Sequence, residues 1–257
     1  MTRYQILMSN PARTQAQIEN DAIVKRETDY YKANIGKVKS IDEFVKDHRL
    51  FSYAMKAFGL QDMTFAKAFM KKLLAEGTAN PKSMANQMTN PLYKEFAKAF
   101  DFAGKGPYAT SQASATSGTV ARYYRQTLEM KEGERNEGVR IALYFKRKAS
   151  SITTHMGLLA DKAVLQFVQT TFNIPQGASK ADIDVQVRNL EKHIKIEDLQ
   201  DPKKVDKLIQ RFSAMWDMNN TSIATTNPVL SLFGDTAETG MSVDLMMSIA
   251  KLPRGGF

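Results

Sequence analysis

The sequence predicts an all-α, multihelical fold built from two related helical halves. Apolar residues recur at steps of three, four and seven along most of the 257 residues. The ends of these runs carry recognisable helix starts and stops. A set of residues also recurs at one constant offset, the signature of an internal repeat.

The stretch 40–77 organises the reading. Ser40 and Glu43 have the spacing of a capping box. Phe44, Phe51, Met55 and Phe58 follow on one helical face, and Gly59 is placed to stop that helix in the left-handed conformation. Phe65, Phe69 and Leu73, widened by Ala66, Met70 and Leu74, form the stripe of a second helix that Gly77 closes. So much apolar surface on adjacent helices must be covered by other elements.

Upstream, residues 1 to about 15 have little to order them, and 15–34 reads as a polar helix carrying Ile18, Ile23, Val24, Tyr30 and Tyr31. Downstream, Asn80-Pro81 and Asn90-Pro91 each place a good N-cap before a proline suited to the first turn. Tyr93, Phe96, Ala97 and Phe100 give the second of these helices its apolar face. Residues 103–119 are rich in Gly, Ser, Thr and Ala, the composition of a loop or flexible connector.

A helix restarts near Thr119 with Val120, Tyr123, Tyr124 and Leu128, and KEGERNEG breaks it. Asn136 caps the next helix. Residues 151–175 read as one long helical segment stopped by Asn173 and Pro175. Ser179 starts a further helix through Val187, Leu190 and Ile194. Asp201-Pro202 opens a helix with Val205, Leu208, Ile209, Phe212, Met215 and Trp216 at helical spacing. Phe51, Phe58, Phe69, Phe100, Phe172, Phe212 and Trp216 are the large side chains expected in the core.

The repeat has an offset of 114. Arg26, Tyr30, Lys32, Asp47 and Phe58 have identical counterparts in Arg140, Tyr144, Lys146, Asp161 and Phe172. Gly59 pairs with Asn173, the two residues best suited to a left-handed helix stop. Phe96, Phe100 and Asp101 resemble Phe212, Trp216 and Asp217 at an offset of 116. The organisation read from this is an N-terminal segment (1–25), a first half (26–102), a connector with one helix (103–139), a second half (140–218) and a C-terminal tail (219–257).

Composition bounds the function. Hydrophobic residues make up 43% and charged residues 25%, ordinary values for a globular protein. No apolar run approaches the ~20 residues of a membrane span, and the N-terminus lacks the features of a Sec-type signal. The absence of cysteine excludes disulfides, thiolate catalysis and cysteine metal sites. The net charge is +9, but Lys and Arg are interleaved with Asp and Glu, which favours a solvated exterior over a nucleic-acid face.

Chemistry-bearing patterns are sparse. His48, His155 and His193 are far apart and fit no metal-ligand spacing. Gly104-Lys105-Gly106 lacks the rest of a phosphate loop. Asp42/Glu43 and Glu197/Asp198 read as helix-start residues favoured by the dipole. Tyr123 and Tyr124, between Arg122 and Arg125, make the best local argument for base stacking; the competing reading turns the tyrosines inward and leaves the arginines in water. No cofactor and no metal is expected.

The segments RETDYYKANIGKVKSIDEF, RLFSYAMKAFGLQDMTFAKAFMKKLLAEG, NEGVRIALYFKRKA and DPKKVDKLIQRFSAMWD resemble, in the same order, an alphaproteobacterial family of unknown function whose genes often accompany flagellar genes. The resemblance spans roughly residues 25–218. It implies a non-enzymatic, flagellum-associated structural, assembly or regulatory protein that acts through protein contacts, either cytoplasmic or at the flagellum. A basic nucleic-acid-binding protein and an enzyme with an unrecognised site are the alternatives. In the tail, Ser242 can cap a short helix with Val243, Met246, Met247, Ile249 and Ala250 on one apolar side, a candidate partner-binding segment.

Overall fold

The structure is a computed structural model that describes residues 2–220. The chain divides into two units, 1–214 and 215–257. The second is described only through residues 215–220, the last turns of its leading helix, so the account below concerns the first. Among the described residues there is no strand.

Among the described residues fifteen α-helices follow one another, joined by turns and short 3-10 segments. They are α1 (Thr2–Ser9), α2 (Pro11–Glu19), α3 (Ala22–Asn34), α4 (Ile41–Lys46), α5 (His48–Ala57), α6 (Lys67–Glu76), α7 (Met84–Gln87) and α8 (Pro91–Ala99). Then come α9 (Phe102–Lys105), α10 (Ser117–Arg135), α11 (Glu137–Lys148), α12 (His155–Ala160), α13 (Lys162–Phe172), α14 (Ile183–Glu191) and α15 (Pro202–Asn220).

Capping chemistry sets many of the boundaries. Ser40 Oγ accepts from Glu43 N–H at 3.2 Å while Glu43 reaches back to Lys39 N–H at 2.8 Å, a reciprocal cap displaced by one residue from the strict pattern. Asn90 Oδ1 accepts from Leu92 N–H, with Pro91 in the first turn of α8. Gly59 (φ 71°) and Asn173 (φ 53°) are both left-handed, as their helix-stop role requires.

Packing departs from local pattern in several places. The stretch read as poorly ordered is helical from residue 2: α1 and α2 form there, with Tyr4 and Leu7 buried and Arg3 making a two-pronged ion pair with Glu132 at 2.6 and 2.7 Å. The run from Ser40 to Phe58 is two helices. Asp47 leaves the helical conformation and its carboxylate caps α5 by accepting from Arg49 and Leu50 N–H. Likewise the segment 151–175 splits at Asp161, which caps α13 through Ala163 and Val164 N–H. At both sites a carboxylate cap overrides continuous apolar periodicity.

Phe65 precedes α6 and is 80% exposed, so it is not part of that helix's stripe. Asn80-Pro81 lies in a turn, where Asn80 Oδ1 accepts from Lys82 N–H; the helix waits until Met84. KEGER continues α10 to Arg135, and the break falls at Asn136. Ser179 sits in a 3-10 turn whose hydroxyl accepts from Gln169, and α14 begins at Ile183. Phe51, Phe58, Phe100 and Phe212 are buried as expected, whereas Phe69, Phe172 and Trp216 are half-buried.

The small-residue stretch 103–119 is not a free connector. It contains the end of α9, a 3-10 turn (Gly106–Ser111) and the start of α10, with Ala109, Thr110 and Ala115 buried. Thr110 Oγ1 donates to Val38 O at 2.7 Å and Tyr31 OH donates to Ala115 O at 2.5 Å. Small side chains are there because backbone and hydroxyls must approach other elements closely.

Stacked rings run through the interior. Tyr31 on α3 stacks on Tyr53 of α5 (4.3 Å between centroids), and Tyr53 stacks on Tyr123 of α10 (3.8 Å). Further along, Phe145 on α11 stacks on Phe167 of α13 (3.6 Å), which stacks on Phe212 of α15 (4.5 Å). Tyr31 and Phe145 are 114 residues apart, as are Tyr53 and Phe167.

Other local geometry recurs at the same spacing. Tyr30 OH donates to Asp47 (2.8 Å) as Tyr144 OH donates to Asp161 (2.5 Å). Leu60 N–H closes on Met55 O as Ile174 N–H closes on Gln169 O, both at 2.8 Å. The third ring breaks the spacing. Phe212 takes the place that Tyr123 holds in the first stack, so the packing pairs α15 with α10. The offset of 116 that matched Phe212 to Phe96 does not describe this contact.

The stacks yield two stability predictions. Phe167→Ala, removing a fully buried middle ring, should lower unfolding free energy by about 3–5 kcal/mol in urea denaturation. Tyr31→Phe keeps the stack but strips the donor from Ala115 O, and should cost about 1–3 kcal/mol.

Candidate functional site

Helices α1 and α2 pack against α10 and α11, as the apolar residues Leu7 and Ile18 require cover. The four helices leave a groove of about 490 Å³ between them. Its floor and walls include Met8, Tyr124, Leu128 and Leu143, and Arg125 stands at its edge.

Charge on α10 and α11 is almost fully paired. Arg122 and Lys148 share Glu95 (2.9 and 2.6 Å), Arg147 forks onto Glu129 (2.8 and 2.9 Å), and Arg140 pairs with Glu137. Lys146 meets Asp206 (2.7 Å), Lys131 meets Asp21 (2.5 Å), and Arg135 lies 4.0 Å from Glu132. Among the described residues, Arg125 is the one Lys or Arg on these two helices with no ion pair. Partial burial, then repulsion from Arg147 and Arg122, lowers its pKa against a smaller attraction from Glu129, which is itself forked by Arg147. The charged guanidinium is therefore destabilised where it stands, and a carboxylate arriving in the groove would relieve it.

The base-stacking reading of Tyr123 and Tyr124 meets this geometry directly. Tyr123 is buried, with one neighbour in Tyr53 and Lys56 Nζ 5.2 Å from its ring centroid. Tyr124 lines the groove, and Arg122 is engaged by Glu95 instead of standing in water.

The remaining sequence candidates are dispersed or locally engaged. His48 is exposed beside Ser52, His155 Nε2 lies 2.9 Å from Ile194 O, and the His193 ring lies against Phe172 at 5.4 Å. Gly104 N–H donates to Asp101 Oδ1, and a Cβ at Gly104 would sit 2.5 Å from that carboxylate. The glycine thus serves the turn of α9. Asp42 and Glu43 lie in the first turn of α4, as expected, whereas Glu197 and Asp198 open a 3-10 turn. Among the described residues no cluster of three or more His, Asp or Glu could hold a metal, and no helix is long and apolar enough to cross a membrane. Val243, Met246, Met247, Ile249 and Ala250 lie outside the described residues.

Sequence spacing did not single out Arg125. Arg122 and Arg125 look alike in the chain; only the fold brings Glu95 to one and not to the other.

These ion pairs predict an acid-labile fold. Burial pushes the Glu95 carboxyl up, but Lys148 and Arg122 outweigh it, and the net pKa lies below the ordinary 4.5. Hydrogen bonding from Arg3 likewise lowers Glu132. A carboxylate with a depressed folded pKa stabilises the fold above its unfolded value, and that contribution is lost as pH falls through the folded pKa. Melting temperature should therefore decline below about pH 4.5, and Glu95→Gln should flatten part of the decline while lowering stability at pH 7.

Comparison with known proteins places the chain. No curated protein matches it. A crystal structure of an Agrobacterium tumefaciens protein is 46% identical, covers 85% of this chain and 93% of its own, and superposes with a TM-score of 0.79. A family model described as a protein of unknown function, DUF1217, matches residues 57–205. The helices that carry the groove's α10–α11 wall fall within that match, and the chain belongs to the DUF1217 family of proteins of unknown function.

Proposed function

We propose that this protein works through protein contacts, as a flagellum-associated structural, assembly or regulatory component. The observation that carries the reading is the unpaired Arg125 at the edge of an apolar groove whose other cations already have carboxylates. That combination suits an amphipathic segment of a partner, with its apolar face on Leu128 and Leu143 and an acidic side chain against Arg125. The flagellar assignment rests on the resemblance of the sequence segments to a family whose genes accompany flagellar genes.

Internal duplication belongs to the same reading. Its support is the recurrence, 114 residues apart, of the Tyr–Asp hydrogen bond, the Asp caps, the helix-stop bond and the first two stacked rings.

The test compares wild type with Arg125→Glu in pull-downs from flagellated cells, with melting temperature measured in parallel. The expected result is that wild type retains flagellar proteins and Arg125→Glu retains at least tenfold less, at nearly unchanged melting temperature. Retention of the same proteins by both, or of none by either, overturns the assignment of the groove. Binding to mixed DNA or RNA that falls steeply with salt would favour the nucleic-acid alternative.

A further inference from the structure

A second cavity, of about 420 Å³, is lined by the end of α5, the start of α8, α10, α11 and the start of α13. Its size falls within the roughly 300–1,000 Å³ of small-molecule sites. Four cations line it, Arg122, Arg140, Arg147 and Lys162, together with the amide of Gln126. Among the described residues that line it, Asp161 is the one acid, and both its oxygens are engaged. Oδ1 accepts from Ala163 and Val164 N–H, and Oδ2 accepts from Tyr144 OH.

Small residues leave this space open. Arg49, 114 positions before Ala163, lies over the Tyr30 ring at 3.7 Å and forks onto Glu27. Ala163 has no side chain to do the same at Tyr144. The guanidinium over that ring comes instead from Arg147 on α11, at 4.9 Å.

The three guanidiniums are fixed by partners that do not line the cavity. Arg122 pairs with Glu95, Arg140 with Glu137 and Arg147 with Glu129. Arg122 also lies over the Phe58 ring at 4.7 Å. These bonds use only part of each five-donor set. Arg122 commits Nη1, while Arg140 and Arg147 each commit Nε and Nη2. The remaining nitrogens of all three, the ammonium of Lys162 and the amide of Gln126 make no hydrogen bond among the described residues. Cations held in place in advance lose little side-chain freedom when a ligand arrives.

We propose that this cavity binds the terminal phosphate of a small phosphorylated molecule. A phosphate monoester carries a charge of about −1.5 to −2 at pH 7 and offers three oxygens, so it can accept from several of these donors at once. A carboxylate, with two oxygens, is satisfied by a single guanidinium fork. Pro91 and Leu92 supply an apolar side for the rest of the molecule. The site shares Arg147 with the groove at Arg125, but Arg140, Lys162 and Gln126 belong to this cavity and not to the groove.

Inorganic pyrophosphate is a suitable probe, titrated into the full 257-residue protein by calorimetry at physiological ionic strength. The expected result is saturable binding of one equivalent per chain. Gln126→Glu keeps the side chain's shape and places a carboxylate among the cations; Lys162→Glu reverses an exposed charge that makes no ion pair among the described residues. Each should weaken binding at least tenfold with melting temperature nearly unchanged. Arg188→Glu, the same kind of charge reversal at an exposed position on α14, should leave binding unaltered. No saturable binding, or binding weakened equally by Arg188→Glu, overturns the proposal. Citrate binding more tightly than pyrophosphate would overturn it in favour of a polycarboxylate. A phosphoserine peptide binding at least tenfold more tightly than pyrophosphate would overturn it in favour of a modified protein.

Discussion

The stacked tyrosines Tyr31, Tyr53 and Tyr123 are the contact on which the first two-thirds of the structure depend. Three rings from three helices meet face to face at 4.3 and 3.8 Å, which fixes the positions of α3, α5 and α10 together. The hydroxyls add direction: Tyr31 reaches Ala115 O and Tyr53 lies 3.0 Å from Thr28 Oγ1. A buried phenol needs such a partner, so residues 112–116 are held against α3 instead of looping free. The second stack has phenylalanine at all three places and carries no such demand.

Electrostatics then distinguishes one surface from the rest. A chain with a net charge of +9 could have presented a broad basic face. On α10 and α11 the fold instead matches cation to carboxylate nearly residue by residue, and several of these pairs join distant segments, such as Arg3 with Glu132 and Lys131 with Asp21. Such pairs contribute little individually where both partners are exposed, as with Lys131 and Asp21, and more where the carboxylate is buried, as at Glu132. Their larger effect is to mark out Arg125, which has no ion pair and whose charged neighbours are two other guanidiniums and the Glu129 carboxylate that Arg147 already engages.

By itself the sequence determined the all-α class, the helix caps at Ser40, Asn90 and Asn136, and the helix stops at Gly59, Gly77 and Asn173. Those features depend on hydrogen bonds and side-chain periodicity within about one helical turn, so adjacent residues suffice to specify them. Tertiary structure alone decided that 2–15 and 103–119 are packed, because two buried residues on α1 and a tyrosine hydroxyl 84 residues from its acceptor carry no local signal. It also decided that Phe212 stacks as Tyr123 does, that Phe65 faces solvent, and that Arg125 lacks the carboxylate that Arg122 has. Ring stacking, ion pairing and cavities join residues tens of positions apart, and their outcome is set by which helices meet.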